Sequence, residues 1–419
     1  MNADKQEPSL EPAYEALCEA RDAIPRGLSA HLAAAGFGDV TENGLLVLGA
    51  IRLRDSTAPL LMRRLGITPQ AASETMATLA RRGYLNGTHQ ATIILTERGQ
   101  AVLDEAEAGL RADRWAEFRH RSGDIVISSV PKSGTTWMQM ICALLIFQTA
   151  DLPASLSELS PWLDAAAGIR RAKIHAQFAA QRHRRFIKTH TPLNELPINP
   201  RVTYIVVARN PLDTAVSFHH HLSELRADHE RPPETTRQWM LRRIGEMGTS
   251  PRGRDGYFDT VLKSLNGAWR RRAEPNVVLS HYEDLSADLA GEMRRLAKRL
   301  DIAVSEAKFP GLVEAATFKQ MRAAADQLKP LQYERNTNVG KGEYEAFFRR
   351  GSSGEGMSLL TSADVNHYYA SAVRIVPRDL LAWLHRDMKL LLVAVQPGQQ
   401  LRWRYLCRAG VVTGHFLVV

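Results

Sequence analysis

DIVISSVPKSGTTWMQM, residues 124–140, sets a β-branched run against a loop of small residues, and the loop leads into the apolar pattern WMQMICALLIF of residues 137–147. A buried strand ending in such a loop exposes consecutive backbone N–H groups at a helix N-terminus, where the helix dipole favours an anion. The pattern points to a phosphorylated ligand. Gly134 permits close backbone approach, Ser133, Thr135 and Thr136 offer hydroxyl donors, and Lys132 adds a point charge. Taken alone, SGTT fits a strand-to-helix turn capped by hydroxyls equally well. The loop of ordinary nucleoside triphosphatases, GxxxxGK[ST], is absent, because here the lysine precedes the glycine.

Working outward, FIKTH (186–190), VTYIVVARN (202–210) and NVVLSHYEDL (276–285) are further short β-rich runs set between helical stretches. Strands alternating with helices predict an α/β domain with a parallel sheet and right-handed crossovers. Upstream, from about Pro12 to Arg121, the pattern is helical, as in EALCEARDAI (15–24) and QAVLDEAEAGLRADRWAEFRHR (100–121). A domain boundary is therefore expected near residue 122, and 419 residues agree with two to three domains of about 150 residues each.

Composition narrows the function. Hydrophobic residues at 44% and charged residues at 24% exclude wholesale disorder and fibrous repeats. No run reaches the ~18–20 apolar residues of a membrane-spanning helix, and MNADKQEPSLEP lacks signal-peptide character, so a cytoplasmic protein without a membrane span is expected. Cys18, Cys142 and Cys407 share no metal or disulfide spacing, and His219–His221 are neighbours that point apart on a helix, so no metal is expected. The net charge of +9 is unevenly placed. Residues 1–123 hold 14 Lys and Arg against 16 Asp and Glu, whereas residues 124–419 hold 40 against 29. The basic part attracts anions in general, and charge alone does not choose among nucleic acid, acidic membrane and phosphorylated small molecule.

In the N-terminal part, LMRRLGI (61–67) predicts a short helix stopped by Gly66. TPQAASETMATLARRG (68–83) predicts a second, with Thr68 as N-cap and Pro69 at the first helical position, and ATIILTERG (91–99) a strand running into another helix. This segment resembles the winged helix-turn-helix of MarR-type regulators over about residues 60–110, which implies DNA binding and pairing into a homodimer. The wing turn NGTHQA, however, has no Arg or Lys, and the acidic module offers chiefly Arg63, Arg64, Arg81 and Arg82 to a phosphate backbone. A dimerisation or acceptor-binding role is therefore favoured over DNA binding.

PKSGTTW resembles the 5'-phosphosulfate loop of cytosolic-type sulfotransferases, and further motifs of that family follow in order. The resemblance covers about residues 124–390 and implies a P-loop-like sulfotransferase fold with 3'-phosphoadenosine 5'-phosphosulfate (PAPS) as sulfuryl donor. VTYIVVARNPLDTAVSFHHH resembles the 3'-phosphate element, which makes Arg209 and Ser217 its ligands. RFIKTHTPLNELP resembles the strand presenting a catalytic lysine and histidine, here Lys188 and His190. NVVLSHYEDL supplies Tyr282 to the nucleotide, and ATFKQM supplies Phe318, expected to face the adenine opposite Trp137. FFRRGSSGEG resembles the RKG loop, giving Arg349, Arg350 and Gly351 as 3'-phosphate contacts. Without the resemblance, Trp137 and Phe318 read as core residues and Tyr282 as a helix-entry residue with acidic neighbours.

The implied reaction is in-line transfer to a hydroxyl of a small-molecule acceptor, an alcohol, phenol, lipid or secondary metabolite. Lys132 stabilises the leaving phosphate, Lys188 the sulfuryl oxygens, and Ser217 restrains Lys132. His190 acts as general base, a role suited to the ordinary imidazole pKa of ~6.5. Two departures stand out: Gly354–Met357 replace the usual GDW, and residues 391–419 have no counterpart, fitting an added strand, a packing arm or a poorly ordered tail. Two alternatives accompany the enzyme reading. A nucleotide kinase needs a magnesium carboxylate after a strand, and none stands out. A ligand-sensing transcriptional regulator with a degenerate sulfotransferase domain predicts operator binding without turnover, yet all the catalytic residue types are present.

Overall fold

The computed structural model describes residues 26–52, 68–86, 93–164, 171–224, 234–249, 256–328, 348–349, 351–386, 400–407 and 410–417. The chain forms two compact units, residues 1–207 with 271–351, and residues 208–270 with 352–419.

The first unit has two separate hydrophobic cores. The N-terminal one gathers helices Arg26–Ala34, Glu42–Arg52, Pro69–Arg81 and Glu97–Ala116 around Leu48, Met76, Tyr84 and Val102. Strands β1 (Leu85–Asn86) and β2 (Ile94–Leu95) pair antiparallel beside them. The Pro69–Arg81 helix starts as its sequence dictates: Thr68 caps it by accepting from the Ala71 N–H, and proline fills the first turn, where no N–H partner is needed. The helices expected at 15–24 and 61–67, and most of the wing turn, lie outside the described residues.

The second core surrounds a four-stranded sheet made of β3 (Ile125–Ser129), β4 (Phe186–Thr189), β5 (Thr203–Ala208) and β6 (Val277–His281), in the order β4-β3-β5-β6. All four strands coincide with the runs read from sequence. β3 is parallel to both neighbours, with Ile125 opposite Phe186 on one side and Thr203 on the other. Helix Thr135–Phe147 is apolar almost all round because it is buried on nearly every face. Cys142 within it is buried, which pushes its thiol up to about 12. The chain leaves β3 toward β4 on one side and later adds β5 on the other, so the loop after β3 sits at a topological switch point, where open α/β sheets bind ligands.

At the opposite end of these strands, a buried ion pair between Asp124 and Arg185 joins the sheet to the segment after the Glu97–Ala116 helix. A cavity of about 500 Å³ opens there. Its Arg121 and Arg184 already donate to the carbonyls of Ala179, Gln181, Gly123 and Leu300, which makes it a structural joint and not the chemical site.

The second unit packs helices Pro211–Glu224, Thr236–Gly245, Tyr257–Arg270, Ser362–Ile375 and Arg378–His385. Its interior is aromatic, with Tyr257 stacked on Phe218 at 5.2 Å and Phe258 edge-on to Tyr368 at 5.2 Å. His219 turns to Thr236 Oγ1 at 3.2 Å and packs on Trp239. In the tail, β7 (Gln400–Cys407) and β8 (Gly410–Leu417) pair with each other as an antiparallel hairpin.

Candidate functional site

The loop between β3 and the Thr135–Phe147 helix takes an unusual backbone path. Lys132 has φ +68° and Gly134 φ +108°, both in the left-handed region. For lysine this costs about 1–2 kcal/mol, a strain that collects at ligand sites. At Gly134 a Cβ would stand 3.0 Å from the Tyr282 ring, so glycine is needed both for conformation and for the close approach. Ser129 and Thr135 hydroxyls meet at 2.6 Å and tie the two ends of the turn together.

Ser133 departs from expectation. Its side chain is fully buried, and its hydroxyl faces the carbonyls of Val130 (2.8 Å) and Val207 (3.1 Å). One hydroxyl proton serves those carbonyls, so Ser133 shapes the loop and does not present its side chain to an anion. Thr135 and Thr136 open the helix and are almost completely buried.

His190 stands just beyond the end of β4. Its Nδ1 lies 2.7 Å from the Ser129 carbonyl oxygen, on the strand that carries the loop. A carbonyl only accepts, so Nδ1 is the donor, which in the neutral imidazole puts the lone pair of a general base on Nε2. Lys188, two residues earlier, is buried, and its ammonium sits over the Trp162 ring, 4.8 Å from the centroid. Burial lowers this ammonium to about 8, against an opposing pull from Asp164. Trp162 also meets the His190 ring edge-on at 4.9 Å.

The aromatic residues singled out from sequence fall in the same unit. Trp137 packs edge-on against Tyr282 at 5.2 Å and donates its indole N–H to the Ala316 carbonyl at 2.8 Å. Tyr282 opens a helix, Tyr282–Ala287, and its ring faces Gly134 of the loop. Phe318 starts the next helix after Ala316 and lies beneath Gly351, where φ is +66° and a Cβ would fall 2.5 Å from the ring. Arg349 is described, whereas Arg350 lies outside the described residues.

Arg209 and Ser217 belong to the second unit. Arg209 donates to the Ser352 carbonyl at 2.8 Å, and Ser217 lies in the Pro211–Glu224 helix. In the same unit the buried Asp213 accepts from the N–H groups of Gly354 (2.8 Å) and Gly356 (2.7 Å), which fastens the glycine-rich loop that follows Gly351.

Sequence reasoning did not assign Ser129, Trp162, Asp164 or Asp213 to this machinery. Ser129 contributes a carbonyl, which no residue type reveals. Trp162 and Asp164 stand in none of the motifs, and their place becomes visible through the parallel bridge between Trp162 and Lys188. Asp213 stands in the first turn of the Pro211–Glu224 helix, and only the folded chain brings two amides to it.

Residues 122–370 match the sulfotransferase domain family. A glycolipid sulfotransferase of Mycobacterium bovis is 39% identical over 307 residues, covering 66% of this chain and 92% of that protein. The luciferin sulfotransferase of Photinus pyralis is 28% identical over 264 residues, covering 56% of this chain and 67% of that protein. Among solved structures, a mouse sulfotransferase complexed with PAP is similar over 66% of this chain and 92% of that one, at 21% identity and a TM-score of 0.48. With a domain match over more than half of its length, the chain belongs to the sulfotransferase family of enzymes.

Proposed function

We propose that the chain transfers the sulfuryl group of PAPS to a hydroxyl of a small-molecule acceptor, with a lipid-borne alcohol or sugar hydroxyl as the favoured class. The observation that carries this reading is His190, held through Nδ1 by the carbonyl of Ser129 on the strand that leads into the anion loop. In the proposed step the acceptor oxygen bonds to sulfur as the sulfur–oxygen bond to the 5'-phosphate breaks. The acceptor proton passes to His190 Nε2, and adenosine 3',5'-bisphosphate (PAP) departs. Lys132 and the loop amides take the charge growing on the leaving phosphate, and Lys188 draws the sulfuryl oxygens. Gly134, Thr135, Thr136, Trp137, Tyr282 and Phe318 are assigned to the 5' side and the base. Arg209, Ser217, Arg349, Arg350 and Gly351 are assigned to the 3'-phosphate, Ser217 also restraining Lys132. The likeness to a glycolipid sulfotransferase supports the acceptor class. The test is incubation with labelled PAPS and a panel of glycolipids, sterols and phenols: a mass gain of one SO3 on a hydroxyl is expected, and calorimetry showing no uptake of PAP overturns the reading.

For the rest of the chain we propose three parts: residues 1–121 as a MarR-like winged helix-turn-helix module, 122–390 as the catalytic domain and 391–419 as a tail. The order helix, antiparallel strand pair, helix over residues 69–116, packed on its own core, supports the first assignment. Its net acidic charge favours dimerisation over DNA binding in a cytoplasmic homodimer. Among the described residues no helix is long and apolar enough to cross a membrane. Salt-dependent nanomolar retention of an operator by the protein in a mobility-shift assay would reverse that preference.

A further inference from the structure

Trp162, Leu163 and Asp164 run alongside the end of β4. Trp162 bridges to Lys188, and the Leu163 N–H donates to the Lys188 carbonyl at 3.2 Å. The Asp164 carboxylate then closes over Thr189 and Thr191 at that strand end. Its Oδ2 accepts from the Thr189 hydroxyl at 2.5 Å, from the Thr191 N–H at 3.1 Å and from the Thr191 hydroxyl. Asp164 is only 2% exposed, and its Oδ1 is buried with no hydrogen-bond partner among the described residues.

A carboxylate with one unpaired buried oxygen is costly unless a positive charge faces it. The residues it grips, Thr189 and Thr191, alternate with Lys188 and His190, which both touch Trp162. We infer that Asp164 is a positioning residue for sulfuryl transfer: its carboxylate grips Thr189 and Thr191 and so fixes the strand end that carries Lys188 and His190. This rests on the proposed function, in which Lys188 works as the cation facing the sulfuryl oxygens. Lys188 and His190 both touch Trp162, so the pH dependence of turnover reports on this arrangement. Burial already drives the Lys188 ammonium down, and Asp164 opposes that drive. Without the carboxylate the alkaline loss of activity must move to lower pH.

The experiment compares kcat–pH profiles of wild type, Asp164→Asn and Asp164→Glu, with PAP affinity measured in parallel. Asp164→Asn is expected to shift the alkaline limb of kcat acidward and to lower kcat at pH 8 at least tenfold, with PAP affinity kept within about threefold; Asp164→Glu restores part of the limb. Should Asp164→Asn fail to fold, Thr191→Val, which removes one anchor of the carboxylate, is expected to give a smaller shift in the same direction. An alkaline limb that stays in place in a soluble variant overturns the inference. Wild-type protein that takes up no PAP overturns the proposed function itself, so the two failures are distinguishable.

Discussion

The Nδ1 nitrogen of His190 lies 2.7 Å from the carbonyl oxygen of Ser129, which joins the proposed base to the strand that delivers the anion loop. The bond is made to main chain, so it survives side-chain substitution at Ser129 and makes the imidazole tautomer a property of the sheet. His190→Ala is expected to lower kcat by about 100-fold or more while leaving PAP binding intact. Steady-state kinetics at saturating acceptor check this, and unchanged turnover removes His190 from proton transfer.

Lys188 gives the reaction a second titration. Its ammonium is lowered by burial from 10.5 to about 8, and only the cation attracts sulfuryl oxygens, so kcat is expected to fall as pH rises through about 8. For folding the sign is reversed. The unfolded chain keeps this proton up to about pH 10.5 and the folded chain releases it near 8, so the stability contributed by this site rises between those limits. Lys188→Arg, always charged, should flatten the alkaline limb of the kcat profile; a limb that persists assigns it to another group.

Lys132 sits at φ +68°. Glycine there relieves the backbone and alanine does not, so Lys132→Gly is expected to melt higher than Lys132→Ala, with the two separated by about 1 kcal/mol. Both should lose far more in kcat than in PAP affinity, because the charge acts chiefly on the departing phosphate. A loss confined to affinity argues against that role.

Asp213 holds two amides of the loop that follows Gly351. Asp213→Ala is expected to weaken PAP by about 10-fold or more, since hydrogen bonds to charged groups contribute about 1.5–3 kcal/mol. Adenosine 5'-phosphate, which lacks the 3'-phosphate, should lose much less. Equal losses by calorimetry place the effect elsewhere.

Gly351→Ala sets a methyl group 2.5 Å from the Phe318 ring at a positive φ. The ring or the loop must move, so a lower melting temperature and weakened PAP binding are expected together. Wild-type values for both disprove the close packing.

The sheet was legible because each strand is a short β-rich run bounded by turn residues, and parallel strands buried on both faces leave little choice of residue. The loop was legible for a related reason: Lys132, Gly134 and the flanking hydroxyl residues are a local pattern, fixed by what a backbone must do to reach an anion. Ser133 shows where such reading stops, since whether a hydroxyl faces a ligand or the Val207 carbonyl depends on a strand more than seventy residues away. Asp164 and Asp213 were illegible for the same reason, their partners being amides and hydroxyls brought near only by folding.

By itself, then, the sequence determined which residue types stand at the ends of which strands, because burial and backbone geometry act locally and constrain the alphabet. Only the tertiary structure decided the charge and orientation of those groups. Lys188 titrates low because the fold removes water from it, and the His190 ring is oriented because a carbonyl of another strand holds Nδ1. Electric fields and hydrogen-bond partners are set in space, not along the chain.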